Sequence, residues 1–219
     1  IGYISRKKGK QLRPRLCLLA AKMCGELTPH TYTAAALIEM IHVATLIHDD
    51  VVDEADLRRG WPSINRIWKN KISILVGDFM FSKALSNMIT LRNFDGLEIL
   101  SSTAERLSQG EILQIEKALK KEMTEDVYYQ MVGDKTASLF SASCEIGAIT
   151  ANANVEQQKA MAIFGEKLGI SFQIRDDLFD IMGTVDVIGK PIGFDVKKNM
   201  LTLPLIHMLE TVGNSKKKT

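Results

Sequence analysis

AAALIEMIHVATLIHDDVVDEA, residues 34–55, is apolar nearly all the way round a helix until it turns abruptly acidic. A helix with no polar face has to be buried, so this one is read as the central helix of its domain. Thr28 and Pro29 give it a start, Thr as the cap and Pro as a favoured first residue. The neighbouring segments have the same 3.6-residue periodicity and none alternates as a strand would. RPRLCLLAAKMCG reads as a helix from Pro14 to a stop at Gly25. SINRIWKN reads as a short helix and ISILVGDFMFSKALSNMI as a longer one, with Asp95 capping the next. Thr124 starts a helix running into VYYQMVGDKTASLFSASCEIGAITA, and VEQQKAMAIFGEKLGISFQIRDDLFDIM is one long helix. GTVDVIGKPIGFDVKKNM is a Gly-rich loop, and LTLPLIHMLE opens a last helix. Short connections imply antiparallel neighbours, so the expected fold is an all-α bundle over residues 1–219 as a single domain.

With 219 residues, 46% of them hydrophobic, the chain can bury a sizeable core. A net charge of +2 says nothing for or against nucleic acid; no nucleic acid is expected as a partner. Cys17, Cys24 and Cys144 are too few and scattered for a disulfide framework or a zinc site, which suits a reduced, cytoplasmic setting. No run reads as spanning a bilayer and no signal peptide is evident, so membrane contact is expected to be peripheral at most. The opening IGYISRKKGK reads as the middle of a longer chain.

Five acids fall between residues 49 and 56: Asp49, Asp50, Asp53, Glu54 and Asp56. DDLFD repeats the pattern at Asp176, Asp177 and Asp180. Like charges three and four apart cost a helix about 0.2–0.5 kcal/mol per pair. A solvated acidic face would explain one such cluster. Here MIHVATLI and ISFQI put both clusters on helices that are otherwise core, where carboxylates need a cation. Hard divalent ions suit them: Mg²⁺ takes oxygen ligands and is typically held by one or two carboxylates plus substrate phosphates. Two clusters facing each other across a cavity would hold a diphosphate through bridging Mg²⁺. Basic residues support this: Lys10 and Arg13 in KKGKQLRP, Arg58 and Arg59 after the first cluster, Lys135 in DKTASLF and Lys190 in GKPIG. Each alone would be an ordinary surface charge; the case rests on their clustering beside Gly and Pro in three loops. His42 lies two helical turns before Asp49 on the same face, either as a satisfied core residue or as a phosphate contact. His48 faces elsewhere and receives no role.

At this point the chain resembles the trans-isoprenyl diphosphate synthases, or polyprenyl synthetases. KKGKQLRP is similar to the family's GGKxxRP element, and HDDVVDEADLRRG to its first DDxxD motif. LVGDFMFSKAL, QGEILQ, DKTASLF, FQIRDDLFD and GKPIGFD follow in the family's order. The resemblance implies an isoprenoid synthase-type bundle around a central cavity, a homodimer and three Mg²⁺ ions. It implies that Asp49, Asp50, Asp53, Asp176, Asp177 and Asp180 serve Mg²⁺ on an allylic diphosphate, with Asp49, Asp53 and Asp176 foremost. Arg58, Lys135, Thr136, Gln173 and Lys190 would contact that diphosphate. Lys10, Arg13, His42 and Arg59 would bind isopentenyl diphosphate. The catalytic set would be Asp49, Asp53, Asp176, Lys135 and Arg58. Met200 stands where the family often has Lys, and Lys8 stands for the first Gly of its GGK. Members are usually longer, with helices before residue 1 and after about residue 210.

The implied reaction joins an allylic diphosphate to isopentenyl diphosphate, head to tail. The growing product should run from the first cluster along the helix that carries it. Ile41, Ala44 and Thr45 lie on that path. Short-chain members often carry an aromatic floor four or five residues before the first Asp; here Thr45 and Ala44 are small. A product longer than C15 is expected, C30 or longer favoured, unless Phe79, Met80 or Phe81 sets the floor deeper down. Three rivals remain. An all-α HD-type phosphohydrolase would use His48–Asp49 but needs more His ligands than His30 and His207 offer. A non-catalytic subunit of a two-component synthase would typically lose aspartates from one cluster. A terpene cyclase would need only one diphosphate site.

Overall fold

A computed structural model describes residues 9–58, 61–182 and 201–216. These are almost wholly helical, as the periodicity required. α1 is Leu12–Cys24, α2 Pro29–Val52, α3 Ile64–Thr90 and α4 Phe94–Lys120. α5 is Glu125–Val132, followed by a π-helical turn, Gly133–Ala137. α6 is Ser138–Thr150, α7 Val155–Met182 and α8 Leu203–Lys216. A two-residue antiparallel pair, β1 (Leu57–Arg58) and β2 (Trp61–Pro62), lies in the loop after α2. It is too short to leave an alternating pattern.

The chain divides into two compact units, one of residues 1–102 and 139–165, the other of 103–138 and 166–219. In the first, α2 packs against α1 and α3. Thr28 and Thr31 form a reciprocal capping box at the start of α2, with Pro29 at its first position. Ile38, Ile41 and Ala44 on α2 are fully buried, as a helix without a polar face demands. The two helices expected after Ser63 join into α3 across a kink at Lys69, whose backbone sits at φ 67°, ψ 163°. At the start of α4 it is Asn93 that caps, not Asp95: the Gly96 N–H donates to Asn93 Oδ1 at 2.8 Å. Asp95 lies in the first turn, where it complements the helix dipole.

In the second unit, Tyr128 and Val132 of α5 and Ile206 of α8 form a buried cluster, flanked by Met131, Ile170, Ile174 and Leu203. Thr124 caps α5 by accepting from the Val127 N–H at 3.3 Å. The expected continuous helix from there is broken by the π turn, which inserts a residue into the ladder.

By length and composition α3 could cross a bilayer, so the expectation of no spanning run needs correcting. Charge tells against that use. Asp78, midway along α3, pairs with His48 of α2 at 3.2 Å.

Candidate active site

Asp49 and Asp50 lie in the last turn of α2 and Asp53 ends it. The three do not share one environment. Asp53 is exposed and Asp49 half-buried, whereas Asp50 is only 5% exposed. The Arg58 Nε donates to both Asp50 carboxylate oxygens, at 2.7 and 2.8 Å. The Asn65 side-chain amide donates to the Asp50 carbonyl at 3.2 Å. Burial pushes the Asp50 carboxyl up from its ordinary value, and Arg58 pulls it part of the way back. Arg58 therefore anchors the loop onto α2 through the middle aspartate.

The second cluster, on α7, is built the same way. Asp176 is exposed and Asp180 half-buried, whereas Asp177 is 3% exposed. Its carboxylate accepts from the Tyr128 hydroxyl at 2.6 Å and from the Gln173 amide at 2.8 Å. Burial raises the Asp177 carboxyl, these two donors lower it, and Asp176 and Asp180 add to the rise. Gln173 in turn accepts from the Thr136 hydroxyl at 3.1 Å. Two predicted phosphate contacts, Thr136 and Gln173, are thus linked to the cluster by hydrogen bonds.

Lys135 and Thr136 sit in the π turn. Such turns re-aim side chains and recur at functional sites. Lys135 donates to Gln114 at 2.8 Å and pairs with Glu111, both on α4. Gly110 of α4 lies against the turn: a Cβ there would stand 2.6 Å from the Lys135 backbone nitrogen. Glu111, Gln114, Tyr128 and Arg106 are not singled out by the sequence pattern. QGEILQ was the available signal for the first two; nothing local marked Tyr128.

Arg13 and His42 come together in the first unit, with Arg13 Nη1 3.0 Å from His42 Nε2. The guanidinium lies over the Phe140 ring at 4.7 Å. Burial pushes its pKa down to about 10, against the pull of Glu39. A desolvated guanidinium of this kind gains strongly from an anion. Lys10 is exposed in the segment leading into α1. Arg59, Lys190 and Met200 lie outside the described residues.

Of the chain-length candidates, Ile41 and Ala44 are fully buried, and the half-buried Thr45 donates its hydroxyl to the His42 carbonyl at 2.8 Å. Phe79 is exposed, Met80 and Phe81 half-buried. His48 packs its ring over Gly77, where a Cβ would stand 2.3 Å from Nε2. That contact fixes the register of α2 on α3 one residue from the first cluster.

Among the described residues no three His, Cys, Asp or Glu side chains converge to hold a metal by themselves. The oxygen donors come as pairs, Asp49 with Asp53 and Asp176 with Asp180. Such pairs fit a cation whose other ligands are water and phosphate, as Mg²⁺ prefers.

The family model for polyprenyl synthetases matches residues 1–219. The chain belongs to that family. It is 40% identical over 209 residues to an all-trans-nonaprenyl-diphosphate synthase (geranyl-diphosphate specific) of Rhodobacter capsulatus, covering 95% of this chain and 64% of the relative. It is 39% identical over 207 residues to an octaprenyl diphosphate synthase of Escherichia coli (strain K12), covering 94% and 64%. Among solved structures it resembles a polyprenyl synthase from Caulobacter crescentus CB15, complexed with calcium and isoprenyl diphosphate. The TM-score is 0.88 at 37% identity, over 96% of this chain and 64% of that one. The chain thus spans just under two thirds of the length of these relatives.

Proposed function

We propose that this chain forms part of a Mg²⁺-dependent trans-prenyltransferase that condenses an allylic diphosphate with isopentenyl diphosphate. One observation carries the reading beyond family membership. In each aspartate cluster the middle carboxylate is buried on this chain's own donors, whereas the outer two are half-buried or exposed. Asp49, Asp53, Asp176 and Asp180 would hold Mg²⁺ on the allylic diphosphate. Asp50 and Asp177 contribute by fixing the helix ends rather than as ligands. Bound Mg²⁺ supplies Lewis-acid stabilisation of the charge developing on the leaving pyrophosphate.

Lys135 and the second amide hydrogen of Gln173 donate to the allylic diphosphate, joined by Lys190, while the Thr136 hydroxyl orients Gln173. Arg58, with its Nε on Asp50, presents the outer edge of its fork to the same group. The Lys135, Gln173 and Arg58 donors are held by hydrogen bonds before reaction, which is the favourable arrangement for stabilising charge as it forms. Arg13 and His42, with Lys10 and Arg59, hold the diphosphate of isopentenyl diphosphate, and so place its double bond beside the allylic carbon. The apolar body of α2 excludes water from the reactive carbon. Small Ala44 and Thr45 set no aromatic floor beside α2, which supports a product of C30 or longer, as do relatives named for octaprenyl and nonaprenyl products. The family's three Mg²⁺ ions, its homodimer and a cytoplasmic setting with peripheral membrane contact complete the proposal. Exposed Ile67, Trp68, Leu75 and Phe79 on α3 support a covering subunit.

The test is a mass spectrum of hydrolysed products. The full-length protein is incubated with farnesyl diphosphate, excess isopentenyl diphosphate and Mg²⁺, with an EDTA control. A metal-dependent ladder ending at C30 or longer is expected. A stop at C20 would keep the reaction and refute the longer product read from Ala44 and Thr45. Absence of elongation by folded protein would refute the stand-alone enzyme and favour a non-catalytic subunit.

A further inference from the structure

Arg106 has no place in the scheme above, yet it is among the most heavily engaged side chains of the second unit. Its Nε donates to Asp134 Oδ1 at 2.7 Å. Its Nη2 donates to Glu166 Oε1 at 3.1 Å and to the Gly133 carbonyl at 3.3 Å. Gly133 and Asp134 are the first two residues of the π turn, and Lys135 and Thr136 are the next two. The same Gly133 carbonyl already accepts the Ser138 N–H that closes the turn. Arg106 thus grips the turn at its carbonyl and its carboxylate, and ties both to α7 through Glu166.

The spacing along α4 makes this a single built face. Arg106, Gly110 and Gln114 are four residues apart in turn and share one stripe of the helix. Arg106 holds the entry to the turn. Gly110 admits the Lys135 backbone, which any side chain would push away. Gln114, with Glu111, receives the Lys135 ammonium. A π turn gives up regular α-helical hydrogen bonding and needs outside contacts to persist in a long helix. An α-helical relaxation here would rotate Lys135 away from Gln114 and Thr136 away from Gln173. The clamp opposes that relaxation with a planar fork whose geometry lysine does not share.

We infer that Arg106, with Asp134 and Glu166, is a positioning residue that holds the π turn in the register in which Lys135 meets a diphosphate and Thr136 orients Gln173. This rests on the reading of Lys135 as a diphosphate contact, and the experiment separates the two. Binding of inorganic pyrophosphate with Mg²⁺ is measured by calorimetry on the full protein and its variants, beside thermal midpoints. Lys135→Ala tests the contact itself, and Arg106→Met tests the clamp. The double variant tests whether Arg106 acts through Lys135. Arg106→Met should weaken pyrophosphate binding about 5- to 20-fold, the scale of one misplaced charge-assisted contact. In the Lys135→Ala background the same change should alter binding less than about twofold. Arg106→Lys should recover only part of the loss. Glu166→Gln, which leaves the Asp134 bond in place, should show a smaller loss with the same dependence on Lys135, and serves if Arg106→Met does not fold. Equal losses with and without Lys135 would overturn the inference, because they would mark a general structural role. So would an Arg106→Met protein that binds normally while Lys135→Ala does not. If Lys135→Ala itself binds normally, the diphosphate reading of Lys135 fails, and the clamp's purpose with it.

Discussion

Tyr128→Phe removes one oxygen from a core residue and leaves the packing of its ring intact. Its hydroxyl donates to the Asp177 carboxylate beside the Gln173 amide, and both Tyr128 and Asp177 are almost fully buried. A hydrogen bond to a charged group contributes about 1.5–3 kcal/mol, so the variant should lose that much at pH 7. The loss should depend on pH. Burial already holds the Asp177 carboxyl above its ordinary value, and Tyr128 holds it down. An acid with a raised folded pKa has its full stabilising contribution below the unfolded value, near 4, and loses it as pH rises through the folded value. Without Tyr128 the folded value rises further, so this loss extends to higher pH and deepens by about 1.4 kcal/mol for each unit. Wild type and variant should therefore converge toward acid, with the difference falling below about 1 kcal/mol near pH 4, where the bond is to a neutral carboxyl. Urea unfolding at pH 7 and pH 4 measures both. In an Asp177→Asn background the tyrosine substitution should cost about 1 kcal/mol at either pH. A penalty of the same size at pH 7 and pH 4 would refute the reasoning, since it would mean that no ionised carboxylate is being held.

Lys69→Gly should stabilise the protein. The Lys69 backbone lies in a region that glycine alone adopts readily, which costs about 1–3 kcal/mol, and glycine's freer unfolded chain offsets about 0.4–1 of the gain. The thermal midpoint should rise by several degrees, while Lys69→Ala, which retains a Cβ, should gain nothing. Arg13→Lys should weaken isopentenyl diphosphate about tenfold with little change in the KM of the allylic substrate, because the fork over Phe140 is lost while a charge remains; steady-state kinetics with each substrate varied distinguishes this from a general loss of fold.

The elements that the sequence made legible are those set by local rules. α2 runs from the Thr28 cap that the residues announced, and α7 is the single long helix its periodicity required. What escaped depended on contacts distant along the chain. The π turn inserts a residue into a segment whose composition is ordinarily helical. It exists because Gly110 and Arg106, more than twenty residues earlier, accommodate and grip it. Tyr128 reads as one more apolar position of an amphipathic helix, and its partner lies 49 residues away. His48 points away from the acids and so carries no signal in the sequence, yet that direction is what seats it over Gly77.

The different fates of the three aspartates in each cluster follow from helix geometry alone. Successive residues of an α-helix are about 100° apart, so positions i and i+4 fall within about 40° of each other, and i+1 points well to one side. In DDVVD and DDLFD the first and last carboxylates therefore share a face, and the middle one is turned toward whatever that helix packs on. For both helices that side is core. A buried carboxylate persists only when donors reach it, and each cluster has found different ones: the Arg58 guanidinium for Asp50, a tyrosine hydroxyl and a glutamine amide for Asp177. Because the donors differ while the outcome is the same, the inward aspartate is a requirement of the pattern rather than of either neighbourhood. Each motif of three acids is thus an outer pair of carboxylates with a buried anchor between them. The anchor fixes the rotation of the helix end, and with it the direction in which the outer pair presents its charge.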